Sequence, residues 1–206
     1  MKQGWMKSQW MCFVVGFVVS GWSWSSMQSP VQILDQAAQD VIHVLKSHQN
    51  ELQSNPKIIQ RAVEQYLVPH LDVAGMSRSV LGRDAWMQAS AQQKQAFSQA
   101  FLQLVIRTYS APLAQYHGEK VQFMPLNDAS SLRFAQVRSQ IIRPQGPPLP
   151  LNYSLVLKNG QWKVYDLTVE GVSLLQSYHA QFEQVLQRSN LNDLIQQIQN
   201  TKKVVS

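Results

Sequence analysis

Apolar residues recur at helical spacing through the first half of the chain. Between Pro30 and Ser54 they fall at Val31, Leu34, Ala38, Val41/Ile42 and Leu45, with glutamines and charged residues between them. That spacing predicts an amphipathic helix. Asn55-Pro56 reads as an N-cap followed by proline at the first helical position, opening a second helix that Pro69 closes. Pro69–Arg83 reads as short helical turns ending at Leu81-Gly82, with Asp72 as an N-cap. Ser90 with Gln93 is a capping-box pattern that starts the longest helix. There Phe97, Ala100/Phe101, Leu104/Val105 and Thr108/Tyr109 form one stripe, while Gln95, Gln99 and Gln103 face away, until Pro112 kinks or ends it.

The period then shortens to that of strands. Strand-like segments cover about 119–126 and 132–142, and a proline-rich connection follows over Arg143–Pro150. Two further strand-like runs flank Asn159-Gly160, the dipeptide of a two-residue type I′ turn. This turn pairs Lys158 with Gln161, Leu157 with Trp162, Leu155 with Val164 and Tyr153 with Asp166. Strict alternation then puts Leu151, Tyr153, Leu155, Leu157, Trp162 and Val164 on one face. Tyr165, Leu167 and Val169 fall on the other. Beyond Glu170-Gly171 the helical spacing returns at Val172, Leu175, His179, Phe182 and Leu186. Glu170, just before that helix, reads as a cap on its positive end. Asn190 caps a last helix carrying Leu191, Leu194/Ile195 and Ile198, and Lys202 and Lys203 suit its C-terminus. Helices, then four antiparallel strands, then helices give an α+β domain.

Composition adds a class and a destination. With 45% hydrophobic and 15% charged residues, the chain is globular, and its 206 residues fit one domain with room for a cavity. Lys2 and Lys7 precede an apolar run from Trp10 to Val19 and small residues around Ser20–Ser26, the pattern of a secretory signal peptide. We therefore expect residues 1–25 to be a leader and 26–206 a single, soluble domain. The apolar run is too short to prefer spanning a bilayer. Cys12 is the only cysteine and lies inside that run, which argues against a lipid anchor and leaves no thiol chemistry in the mature chain. Loss of two lysines and no acid lowers the net charge from +6 to +4. Such mild basicity suits anionic head groups or acidic partners, and much else besides.

The stretch Trp162-Lys163-Val164-Tyr165-Asp166, followed by Val169-Glu170-Gly171-Val172-Ser173 and an aromatic-bearing helix, resembles the signature of the MlaC family. A second match is Val80-Leu81-Gly82 with Trp86, then Ser90 and the Phe97/Phe101 helix running into Thr108-Tyr109-Ser110. Together they span Pro30 to Ile198 in the family's order. The resemblance implies N-terminal helices, a four-stranded curled antiparallel sheet and C-terminal helices enclosing an apolar cavity. It implies a monomeric periplasmic phospholipid carrier, also known as a toluene-tolerance auxiliary protein. Its partners would be an outer-membrane lipoprotein complex and an inner-membrane ABC transporter complex with an MCE-domain component. Such a carrier, helping to maintain outer-membrane lipid asymmetry, needs no catalytic residue, metal or cofactor.

The residues themselves leave other chemistry open. There is no P-loop, nucleophile elbow, dinucleotide loop or zinc-protease helix. His70 and Asp72 are two potential ligands, short of a metal site. The basic residues are dispersed, which argues against nucleic acid. An enzymatic alternative uses Tyr153 and Asp166, opposed on one apolar face, as an isomerase-like or small-ligand pocket. The simpler role for Asp166 is to accept hydrogen bonds from Tyr153 or a helix terminus. Most apolar stripes are core, so a structural adaptor with a filled interior stays open. For a lipid cavity the expected lining is Leu155, Leu157 and Val164 on the hairpin, Phe101, Val105 and Tyr109 on the long helix, and Leu175 and Tyr178 beyond Gly171.

Overall fold

The computed structural model describes residues 28–126 and 133–200, so the expected leader, Lys202 and Lys203 lie outside the described residues. Helix α1 (Pro30–Ser47) begins at a full capping box in which Ser29 Oγ accepts from the Gln32 N–H and the Gln32 side chain accepts from the Ser29 N–H. Helix α2 (Lys57–Tyr66) starts one residue late. Pro56 takes the N-cap position, and Asn55 accepts the Ile58 N–H through its backbone carbonyl instead of its side chain. A 3-10 turn, Val68–His70, leads into α3 (Val73–Leu81), where Asp72 caps as expected by accepting the Gly75 N–H at 3.1 Å. Gly82 joins α3 to α4 (Arg83–Gln88), and the Ser90/Gln93 capping box opens α5 (Ala91–Leu113), whose last turn holds Pro112.

The sheet follows, with β1 (Lys120–Phe123), β2 (Phe134–Ile142), β3 (Leu149–Lys158), β4 (Gln161–Val169) and β5 (Val172–Ser173) in sequence order, all antiparallel. Among the described residues it has five strands where four were expected. The fifth is two residues long and folds back through Glu170-Gly171, with φ of 50° and 85°. Both residues are left-handed, so this is a second tight turn like Asn159-Gly160 (φ 51° and 74°). Glu170 is therefore a turn residue and not a helix cap. Helix α6 (Leu174–Leu186) is capped by Ser173, and α7 (Leu191–Asn200) by Asn190, whose side chain accepts the Asn192 and Asp193 N–H groups.

The hairpin keeps the expected register only from its turn to Leu155–Val164. Beyond that point β4 carries one extra residue, Tyr165, and the register shifts: Ser154 opposes Asp166, and Tyr153 opposes Leu167. A bulge of this kind reverses the alternation beyond it. Leu167 and Val169 therefore join the face of Leu151, Tyr153 and Leu155, which Asp166 leaves. The expected pairing of Tyr153 with Asp166 does not form.

Among the described residues the interior falls into three buried clusters. The largest is helical and contains Val80, Phe97, Phe101, Tyr178, Phe182 and Leu194, among others. A second joins α1, α2 and the end of α5 through Leu45, Leu52, Ile59 and Tyr116. The third sets Leu34 of α1 against Ala135, Val137, Leu155 and Val164 of the sheet. Leu71, just after the 3-10 turn, packs against both the helical and the sheet clusters.

Candidate ligand-binding site

Helices α5, α6 and α7 enclose a cleft of about 390 Å³. Its apolar wall is Leu104, Phe182, Val185, Leu194 and Ile198, and its polar groups are Thr108, Tyr109, Ser177, Tyr178, Gln181 and Gln197. These side chains donate and accept hydrogen bonds without carrying charge. An apolar wall with a few convergent polar groups is the usual make-up of a small-molecule site. Edge-to-face rings fix the floor: Phe101 meets Tyr178 at 5.5 Å and Phe97 meets Phe182 at 5.9 Å between centroids. Burial, and then the nearby Tyr178, push the Tyr109 phenol up to about 12, so it remains a proton donor throughout the physiological range. His179, expected on an apolar stripe, is satisfied there by its Nδ1 at 3.0 Å from the Val80 carbonyl, which ties α6 to α3.

On the other side of α5 runs a narrow apolar gap with about 10 Å³ of free volume, room for one water at most. Phe101 and Val105 line it together with Leu71, Val73, Met76 and Leu102. The expected lining residues thus fall into groups. Tyr109 and Tyr178 share the cleft, and Phe101 and Val105 share the gap. Leu175 is buried in the helical cluster, Leu155 and Val164 in the sheet cluster, and Leu157 is half-buried opposite Trp162. The gap, the helical cluster and the sheet cluster meet at Leu71, and no single cavity among those described takes all eight.

Sequence reasoning missed the contribution of α7, although the Leu194/Ile198 spacing already marked one apolar face. It also missed Leu71. Lying between two helices, that residue belongs to no periodic stripe and gives no local signal.

The alternative pair is separated by the bulge. Tyr153 receives the Ser139 hydroxyl at 3.5 Å, lies 5.9 Å from the Phe123 ring, and has its phenol pushed up by burial. Asp166 instead accepts the Leu167 N–H at 2.8 Å, the Leu175 N–H at 3.3 Å and the Ser173 hydroxyl at 2.7 Å. It anchors the start of α6, where a carboxylate also meets the positive end of the helix dipole.

Four matches to known proteins bear on this architecture. The model of the family described as "MlaC protein" matches residues 35–200. The intermembrane phospholipid transport system binding protein MlaC of Haemophilus influenzae is 26% identical over 176 residues, 84% of this chain and 82% of that protein. The toluene tolerance protein ttg2D of Pseudomonas putida is 26% identical over 167 residues, 81% of this chain and 77% of that protein. Among solved structures, a phospholipid-binding protein from Ralstonia solanacearum, in complex with a phospholipid, superposes with a TM-score of 0.76 at 28% identity. It covers 83% of this chain and 95% of that one.

Proposed function

The chain belongs to the MlaC family, and on that premise we propose that it is a periplasmic phospholipid carrier. It takes phospholipid from one membrane-bound complex and hands it to another. One partner is an outer-membrane lipoprotein complex, and the other an inner-membrane ABC transporter carrying an MCE-domain component. The traffic maintains the lipid asymmetry of the outer membrane. Residues 1–25 direct export and are removed, and 26–206 work as a monomeric lipid-binding domain.

The observation that carries this reading is the divided interior. A domain of this size ordinarily has one contiguous core. Here the helical and sheet clusters remain separate and meet at Leu71 beside the gap along Phe101 and Val105. Separate apolar surfaces can part to admit acyl chains without breaking either cluster. Two chains carry ~30 methylenes, and at ~0.8 kcal/mol each their exposure would cost ~20 kcal/mol or more. A carrier must therefore enclose them. In this reading Phe101, Val105, Leu155, Leu157, Val164 and Leu175 face the chains. Tyr109 and Tyr178, with the neutral hydroxyls and amides of the cleft, meet the polar end at the mouth. The function asks for binding and release without a covalent step, so none of these residues is assigned a catalytic role. The isomerase-like alternative loses its ground with the separation of Tyr153 from Asp166.

The test is purification from a periplasmic extract without detergent, followed by mass spectrometry of the intact protein and of its organic extract. We expect a mature chain shortened by about 21–26 residues, as a short leader requires, with diacyl phospholipid bound in stoichiometric amount. A chain that keeps Met1, or that is lipid-free and takes up no labelled phospholipid from vesicles, contradicts the reading.

A further inference from the structure

A short strap joins the helical and sheet clusters at Leu71. Between the end of α2 at Tyr66 and the start of α3 at Val73, the backbone crosses the outer edge of β4. Leu71 makes an isolated parallel bridge to Val164, and the Asp72 N–H donates to the Val164 carbonyl at 2.8 Å. Two lysines of the hairpin reach over to the strap. Lys163 Nζ donates to the Pro69 carbonyl at 2.6 Å, and Lys158 Nζ pairs with the Asp72 carboxylate. Leu71 is half-buried and lines the gap beside Phe101 and Val105. The attachment is therefore polar and reaches the surface at Lys158, while the residue it positions sits at the apolar seam.

We propose that Val68–Asp72 is the gate of the acyl-chain site, latched to the hairpin by Lys158 and Lys163, with Leu71 as the side chain that must swing aside for lipid to pass. The inference rests on the carrier reading above. Lipid reaching the seam between the clusters has to displace the residue that packs against both. The strap can lift without breaking the sheet, because it holds β4 by an isolated bridge and not by a ladder. The Lys158–Asp72 pair suits a latch: the Asp72 side chain is only 11% exposed, but the Lys158 side chain is 48% exposed, so water can take over the ammonium as the pair opens. Asp72 has two duties, as it also caps α3. Closing the latch thus sets the orientation of α3, whose Val73 and Met76 form the gap's wall. Lys158 and Lys163 are positioning residues that act on the lipid through Leu71.

The experiment measures release of a pyrene-labelled diacyl phospholipid from the lipid-loaded, full mature chain to zwitterionic phosphatidylcholine vesicles. Such vesicles leave membrane attraction unaltered when a lysine is removed. Lys158→Gln removes one side of the pair, and Asp72→Asn removes the other while keeping a good N-cap. Each variant should release lipid about two- to fivefold faster, the range that a pair open to water on its lysine side allows. The double variant should release no faster than either single variant, because both remove one interaction. Bound lipid per chain should not change. Raising salt to about 1 M, where screening acts within ~3 Å, should speed the wild type and leave the variants unmoved. Unchanged release rates in loaded variants, or two effects that multiply in the double variant, overturn the latch and leave the carrier reading standing. A wild type that loads no phospholipid overturns both.

Discussion

Asp166 is a residue whose type suggests chemistry and whose contacts show architecture. Its two oxygens accept from Leu167, Leu175 and Ser173, binding the bulged part of β4 to the first turn of α6. Asparagine in its place keeps an acceptor for the two N–H groups and can donate to the Ser173 hydroxyl. Asp166→Asn should therefore cost about 1 kcal/mol, and Asp166→Ala about 2–3 kcal/mol, by loss of charge-assisted bonds at a helix start. Denaturant unfolding measures this, and lipid content in Asp166→Asn should stay within a few-fold of wild type. Complete loss of lipid from a well-folded Asp166→Asn protein would give the carboxylate a direct role. His70 offers a pH test at the same scale. Burial first, and then Lys163, hold its imidazole below its ordinary value of 6.5. A base depressed in the folded state takes up its proton more readily once unfolded. Its contribution to stability is thus whole above 6.5 and is lost as the pH falls through the depressed folded value. The charged groups of the surrounding strap and hairpin are Lys163, Lys158 and Asp72. On acidification to about pH 5, the wild-type melting temperature should fall more than that of His70→Gln. Parallel curves for the two proteins would remove His70 from the pH response.

At the scale of elements, what was legible in the sequence was what is encoded locally. Ser90 with Gln93, Asp72, Asn190 and Asn159-Gly160 each act where their side chains or backbone preferences place them. The bulge at Tyr165 carried no such mark. Tyrosine is an ordinary strand residue, and the extra position becomes visible only when β4 must meet both β3 and the strap at Leu71. Strand β5 was hidden because Val172 continued the helical spacing of the residues that follow, and because glutamate is an unusual occupant of a left-handed turn position. The site suffered similarly. Stripes identified Tyr109, Tyr178, Phe101 and Val105 as inward-facing, but the grouping of those residues depends on how α7 and the strap close over them. Helix α3 shows how tightly the strap and its cap are fitted. A Cβ on Gly75 would collide with the Asp72 carboxylate. Gly75→Ala ordinarily favours a helix by about 1 kcal/mol. Here it should lower the urea midpoint, because the carboxylate must leave both the Gly75 N–H and Lys158. A raised midpoint would mean that the cap and the ion pair contribute nothing.

For the whole molecule, the clusters and the gap between them set what the fold can do. The helical cluster, with its stacked and edge-to-face rings, packs on one side, and the sheet with α1 on the other. The strap and the α5 surface lie where they meet. The family model spans residues 35–200, and a solved structure of the same fold holds a phospholipid. The central claim is that acyl chains lie along this junction. Photo-crosslinking tests it most directly, with a phospholipid bearing a diazirine near the end of one acyl chain, loaded into the mature protein and mapped by peptide mass spectrometry. The account predicts adducts on the α5 peptide containing Phe101 and Val105, on the hairpin around Leu155 and Val164, and on the strap at Leu71. Adducts confined to the outer surface, or to the helical cleft at Gln181 and Gln197 with none on α5 or the hairpin, would contradict it.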